Sequence, residues 1–296
     1  MAGIEGYTIV NEHLLEDPAS LQSFILEALV ERCGCESLFK SEPRDQVRPS
    51  SVLLLLSQQV VQDGAGPEIC LILNKRSKEV VQGGDLCCPG GTINSRLDSY
   101  ISSILWLPWS PLSRWPHWSC LHRECPDEAR WLSQLFAAAL REGWEEIRLN
   151  PLRVRFLGPL SSQCLILFRR VIHPMVGWVC RQKSFSPNWE VEKIVTIPLR
   201  SLLDRRNYAV YCVDVPPHLK WRFPDKDQEF PCFLHRHQDI QEILWGATYR
   251  IVMSLVEMIF GFRSPDPRDL PRVNGVLEDW YVRGRQANSD RKRAEG

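Results

Sequence analysis

The stretch LREGWEEIRL, Leu140–Leu149, carries three glutamates within five positions: Glu142, Glu145 and Glu146. On a helix, residues three and four apart share a face, so Glu142 repels both of the others. Arg141 stands four residues before Glu145 and offsets only part of that repulsion. Two readings are open: a solvated helix face, or a site where a cation belongs. Hard divalent ions prefer oxygen ligands, and clustered carboxylates supply them. Upstream, Pro126 suits a first helical position, and Asp127 and Glu128 suit the positive end of a helix. A long helix is therefore expected from Pro126 to about Leu149. Phe136, Leu140, Trp144 and Ile147 fall on one side of it as core contacts, which turns the three glutamates away from the core. Arg148 offers no glycine for a left-handed exit, so the helix is expected to run on toward Asn150 and stop at Pro151.

Further upstream, SVLLLLSQQVV and EICLILNKRS are apolar strand candidates separated by the turn-forming QDGAGP, an expected antiparallel pair. QGGDLCCPGG follows, a glycine-rich backbone that a ligand can approach closely. Between Ser99 and about Cys125, Trp106, Trp109, Trp115 and Trp118 are interspersed with Pro108, Pro111 and Pro116, which excludes one continuous helix. Beyond Pro151 come strand candidates in LRVRFLGPL, LILFRRVI, MVGWVC and VEKIVTIPL, a short SLLD helix, strands around YAVYCV and FPCFLH, and a helix from about Gln241 to Phe260. An N-terminal helix around Leu21–Val30 and the polar loop Ser41–Ser50 precede all of these. The domain expectation is residues 1–48 as N-terminal helix and linker, 49–262 as the main domain with an insertion at about 99–134, and 263–296 as an extension ending in disorder. A mixed sheet with flanking helices is the economical architecture.

At 296 residues and 44% hydrophobic composition, the chain has ample material for a core. Its 36 basic and 36 acidic residues cancel, so no global field favours nucleic acid or an anionic membrane. Neither is expected as a partner. The N-terminus MAGIEGYTIVNEHLLED lacks a basic region followed by an apolar stretch, and no apolar run is long enough to span a bilayer, which predicts a soluble cytoplasmic protein. Eleven scattered cysteines without repeated CxxC pairs are expected as reduced thiols.

Pro89-Gly90-Gly91 followed by Arg141-Glu142-Gly143-Trp144-Glu145-Glu146 resembles the two halves of the box of the Nudix hydrolases. LNKRSKEVVQGGDLCCPGG, PNWEVEKIVTIPLRSLL and ILWGATYRIV resemble, in order, segments of the coenzyme A diphosphatase branch of that superfamily. The chain departs from the pattern at three places. Gly91 and Arg141 are separated by 49 residues where the box has 13, an insertion of 36. The first box glutamate falls at Leu97, with Asp98 or Glu128 as substitutes, and Arg148 replaces the last glycine.

The resemblance implies an α/β fold, a Nudix-type α/β/α sandwich with a mixed β-sheet. It implies Mg2+ or Mn2+ held by Glu142, Glu145 and Glu146 with the Gly90 carbonyl, and Arg141 orienting the carboxylates. Glu190 is the candidate further ligand or base, with Glu192 second, and Arg76 and the Gly91 backbone are placed against substrate. The implied reaction is hydrolysis of a diphosphate linkage in a nucleoside diphosphate derivative, a coenzyme A-like compound first. ADP-ribose or a nucleotide sugar is the alternative substrate, and a non-catalytic binding module the alternative class. The expected partner is a small nucleotide-derived molecule, with a homodimer left open. Two further signals compete. His117, Cys120, His122 and Cys125 tempt a zinc assignment, but their spacing is not a usual paired-knuckle one, so loosely packed or surface residues are expected. Cys87 and Cys88 are read as packing residues, and the tryptophan-rich insertion as a mini-core or an interface.

Overall fold

The computed structural model describes residues 9–32, 48–60, 66–165, 170–217, 228–237, 240–282 and 285. Most of the polar loop 41–50, most of the QDGAGP turn and nearly all of the C-terminal tail lie outside the described residues. In chain order the elements are α1 (Pro18–Arg32), β1 (Arg48–Gln59), β2 (Glu68–Arg76), β3 (Leu86–Cys87), β4 (Gly90–Thr92), α2 (Ser95–Leu105), α3 (Trp118–Glu124) and α4 (Pro126–Ile147). They continue with β5 (Val154–Pro159), β6 (Gln163–Leu165), β7 (Arg170–Val179), β8 (Val191–Pro198), β9 (Tyr208–Asp214), β10 (Glu229–His237), β11 (Ile240–Leu244), α5 (Gly246–Phe260) and β12 (Arg272–Val276).

The expected mixed sheet is present. β1 pairs antiparallel with β2 and parallel with β7, β7 pairs with β5 and β6, and β8 closes the far edge of β2. The apolar run of β1 is buried on both faces, which is why it does not alternate. Leu53 and Leu55 face the core under α4, whereas Leu54 and Leu56 face a second core with Leu21, Ile25 and Leu29 of α1 and Ile251, Leu255 and Ile259 of α5. Helices thus cover both sides of the sheet, an α/β/α arrangement. A smaller sheet, β11-β10-β9-β12, joins the second core through Tyr208, Phe233 and Leu244. Its strand β12 comes from the C-terminal extension and runs parallel to β9.

Four local expectations need correction. Ile240–Leu244 is not the start of the last helix: it pairs antiparallel with β10, and the helix begins only after Gly246, whose φ of +65° breaks the strand. The candidate LILFRRVI is divided: Leu165 ends β6, 166–169 lie outside the described residues, and Arg170–Ile172 begin β7, which continues through Pro174, in parallel register with Val52, into MVGWV. Arg48–Ser50 belongs to β1 rather than to the polar loop. Trp144 is 47% exposed, because the residue of that turn facing the sheet is Gly143. A Cβ on Gly143 would stand 3.0 Å from Leu149 and 3.3 Å from Leu53, so glycine lets α4 settle on β1.

The tryptophan-rich segment divides between core and surface. Leu112, Trp115 and Trp118 are buried beneath α4, and the Trp115 Nε1–H donates to the Leu157 carbonyl at 3.2 Å. Trp106 and Trp109 stay exposed. Cys70, Cys87, Cys88, Cys125, Cys164, Cys180, Cys212 and Cys232 are free thiols. No helix among the described residues is long and apolar enough to cross a membrane.

Candidate active site

β1 and β2 pair only from Leu55 to Gln59 and from Glu68 to Ile72, and beyond that they part. The gap is filled by β3 on β2 and β4 on β1, with the Leu53 N–H donating to the Pro89 carbonyl at 2.7 Å. Pro89-Gly90-Gly91 is therefore a wedge in the sheet. Gly90 has a φ of +150°, and a Cβ there would lie 2.3 Å from the Ser51 carbonyl oxygen. At Gly91 a Cβ would lie 2.5 Å from Oε1 of Glu142. Backbone at Gly90 and the Glu142 carboxylate at Gly91 occupy the space a Cβ would take, and the last turns of α4 rest on these two residues.

Arg141 is the hub of the wedge. Its Nη1 donates to Glu142 Oε1 at 2.9 Å and to Glu145 Oε2 at 3.0 Å, and its Nη2 donates to the Thr92 carbonyl at 3.1 Å. Nε donates to Asp98 Oδ1 at 2.7 Å. Burial works against the Arg141 charge, but the bonds and charges of Asp98 and Glu142 outweigh it, and the guanidinium is held protonated above its ordinary value. Of the two substitutes for the first box glutamate, Asp98 is the one brought to Arg141. Glu128 is in the first turn of α4.

Glu146 was expected to face away from the core, and it does not. On the helical wheel it lies about 60° from Gly143, which is close enough to be drawn under the sheet edge, and it is 5% exposed. Its Oε2 accepts from Asn74 Nδ2 at 2.8 Å and from the Gly90 N–H at 3.3 Å. Burial pushes its carboxyl up to about 8; Arg76 and the Gly90 N–H oppose this, and the charges of Glu142 and Glu190 add to it. Glu142 is also raised, by burial first and then by Glu145 and Glu190 against the pull of Arg141.

Glu190 thus shares the field of the helix glutamates, although it comes from the turn before β8. That turn is tied down on three sides: the Asn188 N–H donates to the Glu146 carbonyl, Asn188 Oδ1 accepts from the Glu190 N–H, and the Ser77 N–H donates to the Glu190 carbonyl, each at 2.8 Å. Glu192 is drawn elsewhere, to Lys75 Nζ at 3.3 Å. Lys75 and its cross-strand neighbour Lys193 also converge on the buried Glu242, at 3.2 and 2.8 Å.

Arg76 lies beside the cluster and adds positive field at Glu146. Its Nε donates to the Val81 carbonyl at 2.8 Å, which holds the side chain against the loop before β3. That loop is pinned by Asp85, which accepts from Trp245 Nε1 at 3.0 Å and from the Tyr281 hydroxyl at 2.5 Å. Burial raises the Asp85 carboxyl to about 6 against these two bonds and Arg76. Cys87 is pushed up to about 11 by burial, with Arg76 opposing, and Cys88 is pushed higher still. Neither thiol is a thiolate at neutral pH, in keeping with a packing role.

As they stand, Arg141 Nη1 bridges the Glu142 and Glu145 carboxylates, and Asn74 bonds Glu146 separately. Among the described residues no group of three or more His, Cys, Asp or Glu side chains is arranged to hold a metal ion. This includes the His117–Cys125 stretch, where His122 stacks on Trp118 at 5.7 Å. The donor chemistry at the wedge still fits a hard cation. The charged side chains of Glu142, Glu145 and Glu146 offer only carboxylate oxygens, and burial, with the charges of neighbouring carboxylates added to it, raises Glu142 and Glu146. Asn74 and Asn188 are the site residues that sequence reasoning passed over. Asn74 did leave a signal, as the polar residue ending the buried run Ile69–Leu73.

No family model matches the chain, and no curated protein matches it. Solved structures do resemble it. A Nudix hydrolase from Alicyclobacillus acidocaldarius is 17% identical over 54% of this chain and 82% of that one, with a TM-score of 0.35. A Nudix hydrolase from M. smegmatis is 14% identical over 52% of this chain and 73% of that one, with a TM-score of 0.32. An Ap4A hydrolase from C. elegans, solved as a binary complex, is 12% identical over 53% of this chain and 84% of that one, with a TM-score of 0.32. At this level of identity and overlap, the functional reading has to rest on the chain's own side chains.

Proposed function

We propose that the chain is a divalent-metal-dependent hydrolase of Nudix type that cleaves a diphosphate linkage in a nucleoside diphosphate derivative, with a coenzyme A-like compound the first substrate to test. The observation that supports this reading is the meeting of Glu142, Glu145 and Glu146 from α4 with Glu190 from the turn before β8, over the Gly90-Gly91 wedge, in a field of mutual repulsion. Mg2+ or Mn2+ bound there neutralises diphosphate oxygens and lowers the pKa of a water molecule. Glu142, Glu145 and Glu146 are the proposed holders, with the Gly90 carbonyl. Arg141 orients Glu142 and Glu145, Glu190 takes the proton of the attacking water, and Arg76 with the Gly91 backbone receives a substrate phosphate. The second reading, a binding module of the same fold, draws on Trp106 and Trp109, which the insertion leaves exposed.

One experiment separates the two. The purified protein is incubated with Mg2+ or Mn2+ and a panel of coenzyme A, its acyl derivatives, ADP-ribose, dinucleotides and nucleotide sugars, and the products are identified. Turnover of one member, reduced about a hundredfold or more in Glu145→Gln, supports the hydrolase. No turnover of any member, with Glu145→Gln indistinguishable from wild type, sinks it.

A further inference from the structure

Asn74 is fully buried in β2 and ends a run of five apolar residues that are buried with it. An amide in such a place costs stability unless both its ends are satisfied. Only one is. Nδ2 donates to Glu146 Oε2 at 2.8 Å, and Oδ1 has no hydrogen-bond partner. The Gly90 N–H donates to the same Oε2 at 3.3 Å, so both bonds fall on one oxygen of Glu146 and neither on the other.

We infer that Asn74 is a positioning residue: its Nδ2–Oε2 bond fixes the Glu146 carboxylate so that Oε1 is presented to the cation at the Gly90-Gly91 wedge. The inference rests on the metal-dependent reading above and adds to it a residue outside the box. A purely structural Asn74 would be a poor choice for this strand. A leucine branches in the same way, carries no amide acceptor to orphan and matches the neighbouring residues. The amide gives Glu146 what leucine cannot, a donor at a defined angle. Partners of this kind, one bond removed from the metal, set its affinity.

The test uses the whole chain without substrate. Mn2+ dissociation constants are measured from the resonance signal of the free ion, and unfolding midpoints from the metal-free proteins. Asn74→Leu is expected to weaken Mn2+ binding about tenfold or more in a protein that still unfolds cooperatively without metal. Leu73→Ala, on the same strand but in the other core, is expected to lower the midpoint and leave Mn2+ affinity unchanged. Equal Mn2+ affinity in wild type and Asn74→Leu overturns the inference alone, and so does an equal loss in Leu73→Ala, which would mean general loosening of β2. If Asn74→Leu does not fold, Asn74→Ala enters the same comparison. Absence of Mn2+ binding by the wild type overturns the metal-dependent reading and this inference with it.

Discussion

Asp98 holds Arg141 across 43 positions of sequence, with Nε–Oδ1 at 2.7 Å and Nη2–Oδ2 at 3.3 Å, and its carboxylate is fully buried. Leu97 points outward at 43% exposure, and α2 turns the next residue inward. The cap of that helix fixes the turn: Asn94 Oδ1 accepts from the Arg96 and Leu97 N–H groups, and the Asn94 N–H donates to Asp98 Oδ2. Helix α2 therefore supplies a carboxylate to the arginine that bonds Glu142 and Glu145.

Asp98→Asn keeps the shape and removes the charge beneath Arg141. Removing one member of a buried pair leaves the other uncompensated, at a cost of about 3 kcal/mol. Arg141 retains Glu142 and Glu145, so the loss is expected toward the lower side of that figure. Urea unfolding at pH 7 measures it. A loss under about 0.5 kcal/mol, the range of an ordinary surface change, would show that the pair does not hold the wedge.

The raised carboxyls predict how the metal-free protein responds to pH. Glu146 stands at about 8 when folded against 4.5 for its ordinary value, so the folded state binds its proton more tightly than the unfolded state does. Its contribution to stability is complete below about 4.5 and is lost as pH rises through about 8. Asp85 acts in the same direction, with its contribution lost as pH rises through about 6. Above about pH 7, where His173 and His235, lowered by burial, no longer act in the opposite direction, metal-free unfolding midpoints of the wild type should fall as pH rises to about 9. Glu146→Gln should flatten the upper part of the curve. A wild-type midpoint that rises over that interval contradicts the burial of Glu146.

What was legible in the sequence is what neighbours along the chain determine. The two strands before the wedge announce themselves as apolar runs, and Pro126 with Asp127 and Glu128 marks the start of α4 where the structure has it. The meeting of Asn74 with Glu146, 72 positions apart, depends on how α4 lies over the parted strands, and no local pattern encodes that. The same holds for Ile240–Leu244, which is a strand only because β10 lies beside it. Arg148 makes the left-handed exit that the absence of a glycine argues against. It adopts φ +57° and ends the helix where a glycine would, because the Arg148 and Leu149 N–H groups turn back to the Trp144 and Gly143 carbonyls at 3.0 and 3.1 Å.

That exit is testable without reference to function. Arg148 also lays its guanidinium 5.4 Å from the centre of the Trp144 ring, so the comparison to make is between two variants that both lack this contact. In a left-handed conformation alanine carries a steric cost that glycine does not, roughly 1 kcal/mol. Arg148→Gly should therefore be more stable than Arg148→Ala by about that amount in urea unfolding. Equal stability, or a more stable alanine variant, would place the end of α4 beyond Arg148, as helix propensity alone suggests.

The two glycines of the wedge should fail in different ways. At Gly90 an added Cβ meets backbone, the Ser51 carbonyl oxygen at 2.3 Å and Val52 Cα at 2.5 Å, at a φ of +150°. Strand backbone cannot yield there without unpairing β4 from β1, so Gly90→Ala should cost about 3 kcal/mol or more. At Gly91 the added Cβ meets the carboxylate of Glu142, Oε1 at 2.5 Å and Cδ at 2.6 Å, which is the free end of a flexible side chain. Gly91→Ala should fold with a loss under about 1 kcal/mol but displace Glu142 from the wedge. Mn2+ affinity should then drop about tenfold or more in a protein whose unfolding curve is nearly that of the wild type. If instead Gly91→Ala binds Mn2+ as the wild type does, the resting place of Glu142 against Gly91 is not the one from which it meets the ion.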